Sequence, residues 1–111
     1  MTDFIPVAKL SDIPPGQVRY FDLLGAPIAI CHVEDGGFYA IDDECTHDGG
    51  SLDQGELDED QIECPRHGAR FNVRTGAVIT LPATLPLRTY PVRIEGEQLL
   101  VNPIPNAVIR R

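Results

Sequence analysis

The sequence predicts an all-β fold, and three observations support this prediction. Short runs rich in β-branched and aromatic residues recur along the chain, and turn residues separate them. Ten prolines and ten glycines are spread over the 111 residues, which excludes a long helix. The apolar share of 42% suits one compact core in a chain of this length. We therefore expect a single domain, residues 1–111, built from hairpins.

The first part of the chain contains four predicted strands. They are FIPVAKL (4–10), QVRYFDLL (17–24), APIAICHV (26–33) and FYAIDD (38–43). The SDIPPG segment forces a turn between the first two strands, since its prolines and glycine favour turn conformations. Asp35-Gly36 lies between the last two strands, and Asp-Gly between two such runs is a strong hairpin signal.

The later part of the chain repeats this scheme. ARFNV (69–73) and AVITL (77–81) flank a turn at Arg74-Thr75-Gly76. TYPVRIEG (89–96) and EQLLVNP (97–103) flank a turn centred on Gly96. Helical turns are predicted only near Leu10 to Ile13 and within SLDQGELDED (51–60).

Composition limits the location and the partners. The formal net charge of −8 lacks the Lys and Arg surplus that nucleic acid or an anionic membrane surface requires, so neither is an expected partner. No run approaches the roughly 20 apolar residues of a membrane span, and MTDFIPVAKL lacks the pattern of a signal peptide. Three cysteines, an odd number, argue against a disulfide scaffold. We expect a cytoplasmic monomer.

Acidic residues are concentrated between Asp42 and Glu63, a stretch that contains ten of them and no Lys or Arg. Such a run is either an ordinary solvated surface or a surface that attracts a basic partner. The sequence leaves both interpretations open.

Cysteine and histidine form two similar motifs. Cys45-Thr46-His47 and Cys64-Pro65-Arg66-His67 are separated by sixteen residues, and glycine follows each of them. Two thiolates and two imidazoles satisfy a tetrahedral structural zinc site, and zinc remains an alternative. A zinc finger more commonly pairs like ligands within one loop, whereas one Cys and one His from each loop suits a dinuclear centre of the Rieske [2Fe-2S] type.

The segment CTHDGGSLDQGELDEDQIECPRHGARFNVRTG resembles the cluster-binding region of Rieske-type ferredoxins, particularly the small soluble ones that serve aromatic-ring dioxygenases. LPATLPLRTYPV resembles the proline-containing loop of that family, which covers the cluster, and we place this loop at Leu81 to Thr84. The resemblance implies that Cys45 and Cys64 bind the inner iron and that His47 and His67 bind the outer iron. It also implies a β-sandwich of antiparallel sheets with the two cluster-binding loops at one tip.

By this resemblance the chain carries one [2Fe-2S] cluster and is not itself an enzyme. It would pass single electrons from a flavin-containing, NAD(P)H-dependent reductase to a terminal ring-hydroxylating oxygenase. The small Rieske subunit of an assimilatory nitrite reductase is the alternative within the family, and a zinc-stabilised binding module is the alternative from another class. High-potential relatives carry a disulfide and a serine hydroxyl near the cluster, where this chain has Gly50, Arg66 and Ala69. We therefore expect a low reduction potential.

The remaining candidates are expected to be structural. Cys31 and His32 are neighbours in a predicted strand and point to opposite faces, so they cannot both bind one metal. Cys31 is expected to be buried, and His32 to lie at the surface or against a sheet. We expect core positions for four aromatic residues and loop positions for two acidic ones: Phe38, Tyr39, Phe71 and Tyr90, then Asp48 and Asp53.

Overall fold

The computed structural model describes residues 3–44, 51–65, 68–80 and 85–106, and eleven strands and two short 3₁₀ helices lie within these ranges. The strands are β1 (Ile5–Lys9), β2 (Val18–Leu23), β3 (Ala26–His32), β4 (Phe38–Asp42), β5 (Glu56–Asp58), β6 (Gln61–Glu63), β7 (Arg70–Asn72), β8 (Val78–Thr80), β9 (Thr89–Tyr90), β10 (Val92–Glu95) and β11 (Gln98–Val101). The 3₁₀ helices are Leu10–Asp12 and Leu52–Gln54. No helix in these ranges is long and apolar enough to cross a membrane.

Both predicted helical turns are present, and so are the predicted strands with one correction: TYPVRIEG (89–96) is divided at Pro91 into β9 and β10, which belong to different sheets. The sequence also did not reveal the hairpin formed by β5 and β6. Each of these strands has only three residues, and only Leu57 and Ile62 carry an apolar pattern. Their turn contains no glycine. Glu59 adopts the positive φ, of 55°, that glycine supplies in many other turns. A pattern that short, without a turn signal, is too weak to predict a hairpin.

The strands form three antiparallel sheets. The basal sheet has the order β1-β11-β10, the central sheet β2-β3-β4-β9, and the outer sheet β5-β6-β7-β8. The outer sheet consists of successive hairpins and carries the second of the two Cys-His motifs between β6 and β7. The all-β, antiparallel prediction is confirmed.

The central sheet is covered on both faces, and β3 shows this in its sequence. Ala29 and Cys31 point to the core shared with the outer sheet, whereas Ile28 and Ile30 point to the core shared with the basal sheet. All four side chains are fully buried. Because successive strand residues point to opposite faces, a continuous apolar strand can serve two cores at once.

Gly76 connects the outer sheet to the chain that returns to the central sheet. It adopts a φ of +80°, and a Cβ there would lie 2.2 Å from the carbonyl oxygen of Leu87. The backbone N–H of Leu87 donates to the carbonyl of Gly76 at 2.8 Å. This close approach requires glycine, because a side chain would both strain the backbone and collide with Leu87.

Arg74 ties the outer sheet to the central sheet at the end away from Cys64. Its guanidinium forms ion pairs with Asp35 in the β3–β4 turn and with Asp60 in the β5–β6 turn, the latter at 3.4 Å. The same group lies 4.9 Å from the centre of the Tyr39 ring and donates to the Tyr39 hydroxyl. These contacts join three turns, so they restrain how the outer sheet sits on the central one.

Candidate metal centre

Of the four predicted ligands, only Cys64 lies among the described residues. Cys45, His47 and His67 fall in the gaps at 45–50 and 66–67, and Leu81 to Thr84 of the predicted covering loop also lie outside the described residues. The geometry of the site is therefore that of Cys64 and of the chain on either side of both ligand loops.

The second ligand loop is closed at its base by backbone hydrogen bonds. The N–H of Cys64 donates to the carbonyl of Ala69 at 2.7 Å, and the N–H of Gly68 donates to the carbonyl of Cys64 at 3.0 Å. Gly68 adopts a φ of +76°, a conformation that glycine adopts without strain. The chain thus leaves the sheet at Cys64 and returns to it within five residues.

Cys64 itself lies in an apolar environment. It is fully buried in the cluster of residues between the central and outer sheets, together with Leu52, Ala69 and Leu87. An apolar environment excludes water, which lowers the local dielectric around a bound metal and affects its reduction potential. The position suits the inner, cysteine-bound iron that the resemblance assigns to Cys64.

The first ligand loop is closed at its base by Asp43. Its carboxylate accepts a hydrogen bond from the backbone N–H of Asp53 at 2.6 Å and another from that of Leu52. The N–H of Asp43 donates to the carbonyl of Pro27 at 3.0 Å, which fixes this residue to the central sheet. Because Leu52 belongs to the same buried cluster as Cys64, both ligand loops start from one core.

Asp43 is the buried charged group of this region, with 5% of its surface exposed. The pKa of its carboxyl is raised from the ordinary value to about 7, first because burial penalises the charged form and then because it shares a hydrogen bond with the Asp53 side chain. No sequence signal distinguishes Asp43, because two acidic residues at the end of a strand do not indicate that one of them is buried.

Asp42 joins the chain before the first ligand loop to the chain after the predicted covering loop. Its carboxylate accepts from the Arg88 guanidinium at 2.9 Å and from the Tyr90 hydroxyl. Burial and this hydrogen bond raise the pKa of Tyr90 to about 12, so its hydroxyl stays protonated and remains a donor.

Cys31 and His32 are side by side in β3 and have structural contacts of their own. Cys31 is fully buried, and burial raises the pKa of its thiol, so it behaves as a small apolar core residue. His32 stacks on Phe38 with ring centres 3.9 Å apart, and its Nδ1 donates to the carbonyl of Ile13 at 2.7 Å. Its position against a sheet confirms the sequence interpretation.

The aromatic residues follow the prediction as well. Phe71 and Tyr90 are buried, while Phe38 and Tyr39 are partly buried and pack on opposite faces of the central sheet. Asp53 lies in the second 3₁₀ helix, and Asp48 lies outside the described residues.

Comparisons with known proteins agree with this geometry. The family profile of the Rieske [2Fe-2S] domain matches residues 3–91. The ferredoxin component of biphenyl 2,3-dioxygenase from Rhodococcus jostii (strain RHA1) is 41% identical over 96 residues, which span 86% of this chain and 89% of that protein. Ferredoxin CarAc from Metapseudomonas resinovorans is 46% identical over 96 residues, spanning 85% of this chain and 89% of that protein.

Solved structures show the same fold. The ferredoxin of carbazole 1,9a-dioxygenase from Nocardioides aromaticivorans IC177 aligns with a TM-score of 0.87 at 38% identity, covering 93% of this chain and 100% of that one. A chain from a complex of reduced oxygenase and oxidized ferredoxin in carbazole 1,9a-dioxygenase aligns with a TM-score of 0.89 at 39% identity, covering 96% of this chain and 99% of that one.

The Asp43 contacts predict a specific effect on stability. Asp43→Ala removes the acceptor of two backbone N–H groups, so we expect the holoprotein to lose about 1–3 kcal/mol of unfolding free energy. Asp43→Asn keeps an acceptor oxygen and should retain most of this stability. Denaturant unfolding followed by far-UV circular dichroism measures both variants. Equal stability of the Ala and Asn variants would contradict this role of Asp43.

Proposed function

Because this chain belongs to the Rieske [2Fe-2S] family, we propose that it is the ferredoxin component of a ring-hydroxylating dioxygenase system. It would act as one domain over residues 1–111, as a cytoplasmic monomer that takes single electrons from a flavin-containing, NAD(P)H-dependent reductase and delivers them to a terminal oxygenase. The observation that carries the proposal is the similarity to dioxygenase ferredoxins along nearly the full length of both chains. That observation favours a mobile carrier over a nitrite reductase subunit.

We assign the cluster to Cys45, His47, Cys64 and His67. The donor set fits the group, since two thiolates and two imidazoles are the ligands of a Rieske centre. Cys64 supports this fit, because its side chain is fully buried in an apolar cluster beneath a closed loop. A bound [2Fe-2S] cluster supplies reversible one-electron chemistry at this site.

The residues around the cluster would exclude water from it and connect it to the partner protein. The buried cluster that contains Cys64 and Leu52 would keep water away from the cysteine side of the site, and it includes a residue that flanks each ligand loop. His47 and His67 come two and three residues after their cysteines, and we assign them to the outer iron by the resemblance to the family. Imidazole N–H groups there would give the electron a short path to the partner and donate hydrogen bonds to it.

A low potential follows from the residues around the site. Ala69, fully buried beside Cys64, has no hydroxyl to donate to a cluster sulfide, and the chain is strongly acidic. Both features disfavour adding an electron, because fewer donors and more negative charge stabilise the reduced state less.

The acidic stretch supports a docking role, because some of its carboxylates form internal ion pairs and others do not. Asp58 and Glu63 form ion pairs with Arg70, Asp60 with Arg74, and Asp42 with Arg88. Glu44, Glu56 and Glu59 are exposed, and within the described residues no ion pair includes them. Glu44 directly precedes Cys45, so its charge lies next to the first ligand loop and would attract a basic partner surface there.

The ligand assignment predicts which Cys and His substitutions remove the cluster. Cys64→Ala and His67→Ala should abolish the Rieske-type EPR signal of the reduced protein, because each removes one iron ligand. The chain offers a control of each type, since Cys31→Ala and His32→Asn alter a buried thiol and an imidazole that are not among the proposed ligands. Those two variants should keep the signal. A colourless wild-type protein with stoichiometric zinc would overturn the assignment.

The potential can be measured by protein-film voltammetry. We expect a wild-type midpoint below about 0 mV, in the lower part of the Rieske range of roughly −150 to +300 mV. His67→Cys should lower it further, because a thiolate replaces a neutral imidazole and stabilises the oxidised state. A wild-type midpoint well above 0 mV, or an unchanged potential in the variant, contradicts this prediction.

Charge steering predicts how electron transfer depends on salt. In stopped-flow mixing of the reduced protein with the terminal oxygenase of a related dioxygenase system, association should be roughly ten-fold faster at low than at high ionic strength. Glu44→Gln should slow association by about two-fold at low salt. Glu34→Gln removes the same charge at the opposite end of β4 and serves as the control. Rates that do not respond to salt exclude steering, and no transfer to any such oxygenase excludes the proposed carrier role.

A further inference from the structure

The outer sheet contains an irregularity beside the second ligand loop. Arg70 pairs with Thr80 and Phe71 pairs with Val78, so Ile79 is an extra residue that bulges out of β8. Bulges of this kind often occur next to functional sites, where they redirect a neighbouring side chain. In this hairpin the redirected residue is Thr80, which lies at the end of the strand.

The Thr80 side chain replaces the backbone carbonyl that normally accepts a hydrogen bond in an antiparallel pair. Its hydroxyl oxygen accepts a hydrogen bond from the backbone N–H of Arg70 at 3.0 Å. The same hydroxyl donates to the carbonyl of Gly68 at 3.4 Å, a longer and weaker bond. One hydroxyl can donate once and accept twice, so both contacts are compatible. Thr80 therefore holds the two residues on either side of Ala69.

Arg70 also contacts β6, the strand on the opposite side of β7 from β8. Its guanidinium forms an ion pair with Glu63 at 2.8 Å, and Glu63 is its partner in the β6–β7 register. Glu63 directly precedes Cys64, whose N–H bonds to the Ala69 carbonyl. The two ends of the loop are thus joined to each other, and Thr80 fixes the returning end to β8.

We propose that Thr80 is a positioning residue for the second ligand loop, and that its hydroxyl sets where the chain at His67 meets the iron. The proposal rests on the proposed function, because it requires His67 to be a ligand. His67 directly precedes Gly68 in the sequence, so the hydrogen bond that fixes the Gly68 carbonyl acts next to the proposed ligand. Metal ligands depend on such supporting contacts for their orientation, and a small loss of support changes metal affinity and electronic properties.

The test compares two hydroxyl deletions in the same hairpin. Thr80→Val removes the hydroxyl at the ligand end. Thr75→Val is the matched control, because Thr75 is also exposed and its hydroxyl also accepts a backbone N–H, from Ala77 at 3.2 Å, at the turn end. Thr80→Ser keeps the hydroxyl and removes the γ-methyl group, and Thr80→Ala removes both, so these two variants differ only in the hydroxyl. The holoproteins are compared by iron release to a chelator, by EPR of the reduced state and by circular dichroism.

We expect Thr80→Val and Thr80→Ala to release iron about five-fold faster than the wild type, because they lose a hydrogen bond that holds the returning end of the loop. Their EPR signals should broaden or shift, whereas Thr80→Ser and Thr75→Val should match the wild type in both measurements. A purely structural role would change the circular dichroism melt of the Thr80 and Thr75 variants alike and leave the EPR spectrum unchanged.

The outcomes separate this inference from the proposed function. If the wild type shows no Rieske-type EPR signal, the proposed cluster is wrong. If the wild type shows the signal and Thr80→Val behaves as Thr75→Val does, the cluster stands and the positioning role of Thr80 is wrong. Should the Val variant fail to fold, the comparison of Thr80→Ala with Thr80→Ser decides the question by the same two measurements.

Discussion

The packing of Cys64 with Leu52, Ala69 and Leu87 in one buried cluster is the interaction on which the arrangement of the proposed site depends. Leu52 is the first buried residue after the first ligand loop, and Leu87 is the first after the predicted covering loop. Three loops therefore start or end on one buried cluster between the central and outer sheets. Their relative positions depend on this packing more than on any contact between the loops themselves.

Polar side chains form hydrogen bonds at the ends of the loops, in addition to the apolar packing. Asp43 closes the first loop through two backbone N–H groups, and Thr80 closes the second through Arg70 and Gly68. Asp42 connects the chain before the first loop to Arg88 and Tyr90. In each case a short side chain meets backbone or a planar group, so few rotamers are lost in fixing the geometry. The support lies around the predicted ligands, where a metal site needs it.

The electrostatics of the chain divide into internal pairs and charges available to a partner. Arg70, Arg74 and Arg88 form ion pairs with acidic residues of the stretch from Asp42 to Glu63, and the chain keeps a net negative charge. Exposed ion pairs of this kind add little stability individually. Their larger effect is to leave particular carboxylates, such as Glu44 beside the first ligand loop, as the ones that a basic surface meets.

Local signals in the sequence were enough to predict the strands with strong patterns, the antiparallel hairpins and the candidate ligands, because alternation, turn residues and Cys-His spacing lie within short segments. They did not reveal the β5–β6 hairpin, whose three-residue strands turn at Glu59 without glycine. Nor could they identify Asp43 or Thr80, since an acidic pair at a strand end and a threonine after a bulge look ordinary until the partners are known. The folded chain was needed to show that Leu52 and Cys64 share one core and that the Thr80 hydroxyl replaces a backbone acceptor. Those contacts join residues that are distant along the chain, and no local pattern encodes them.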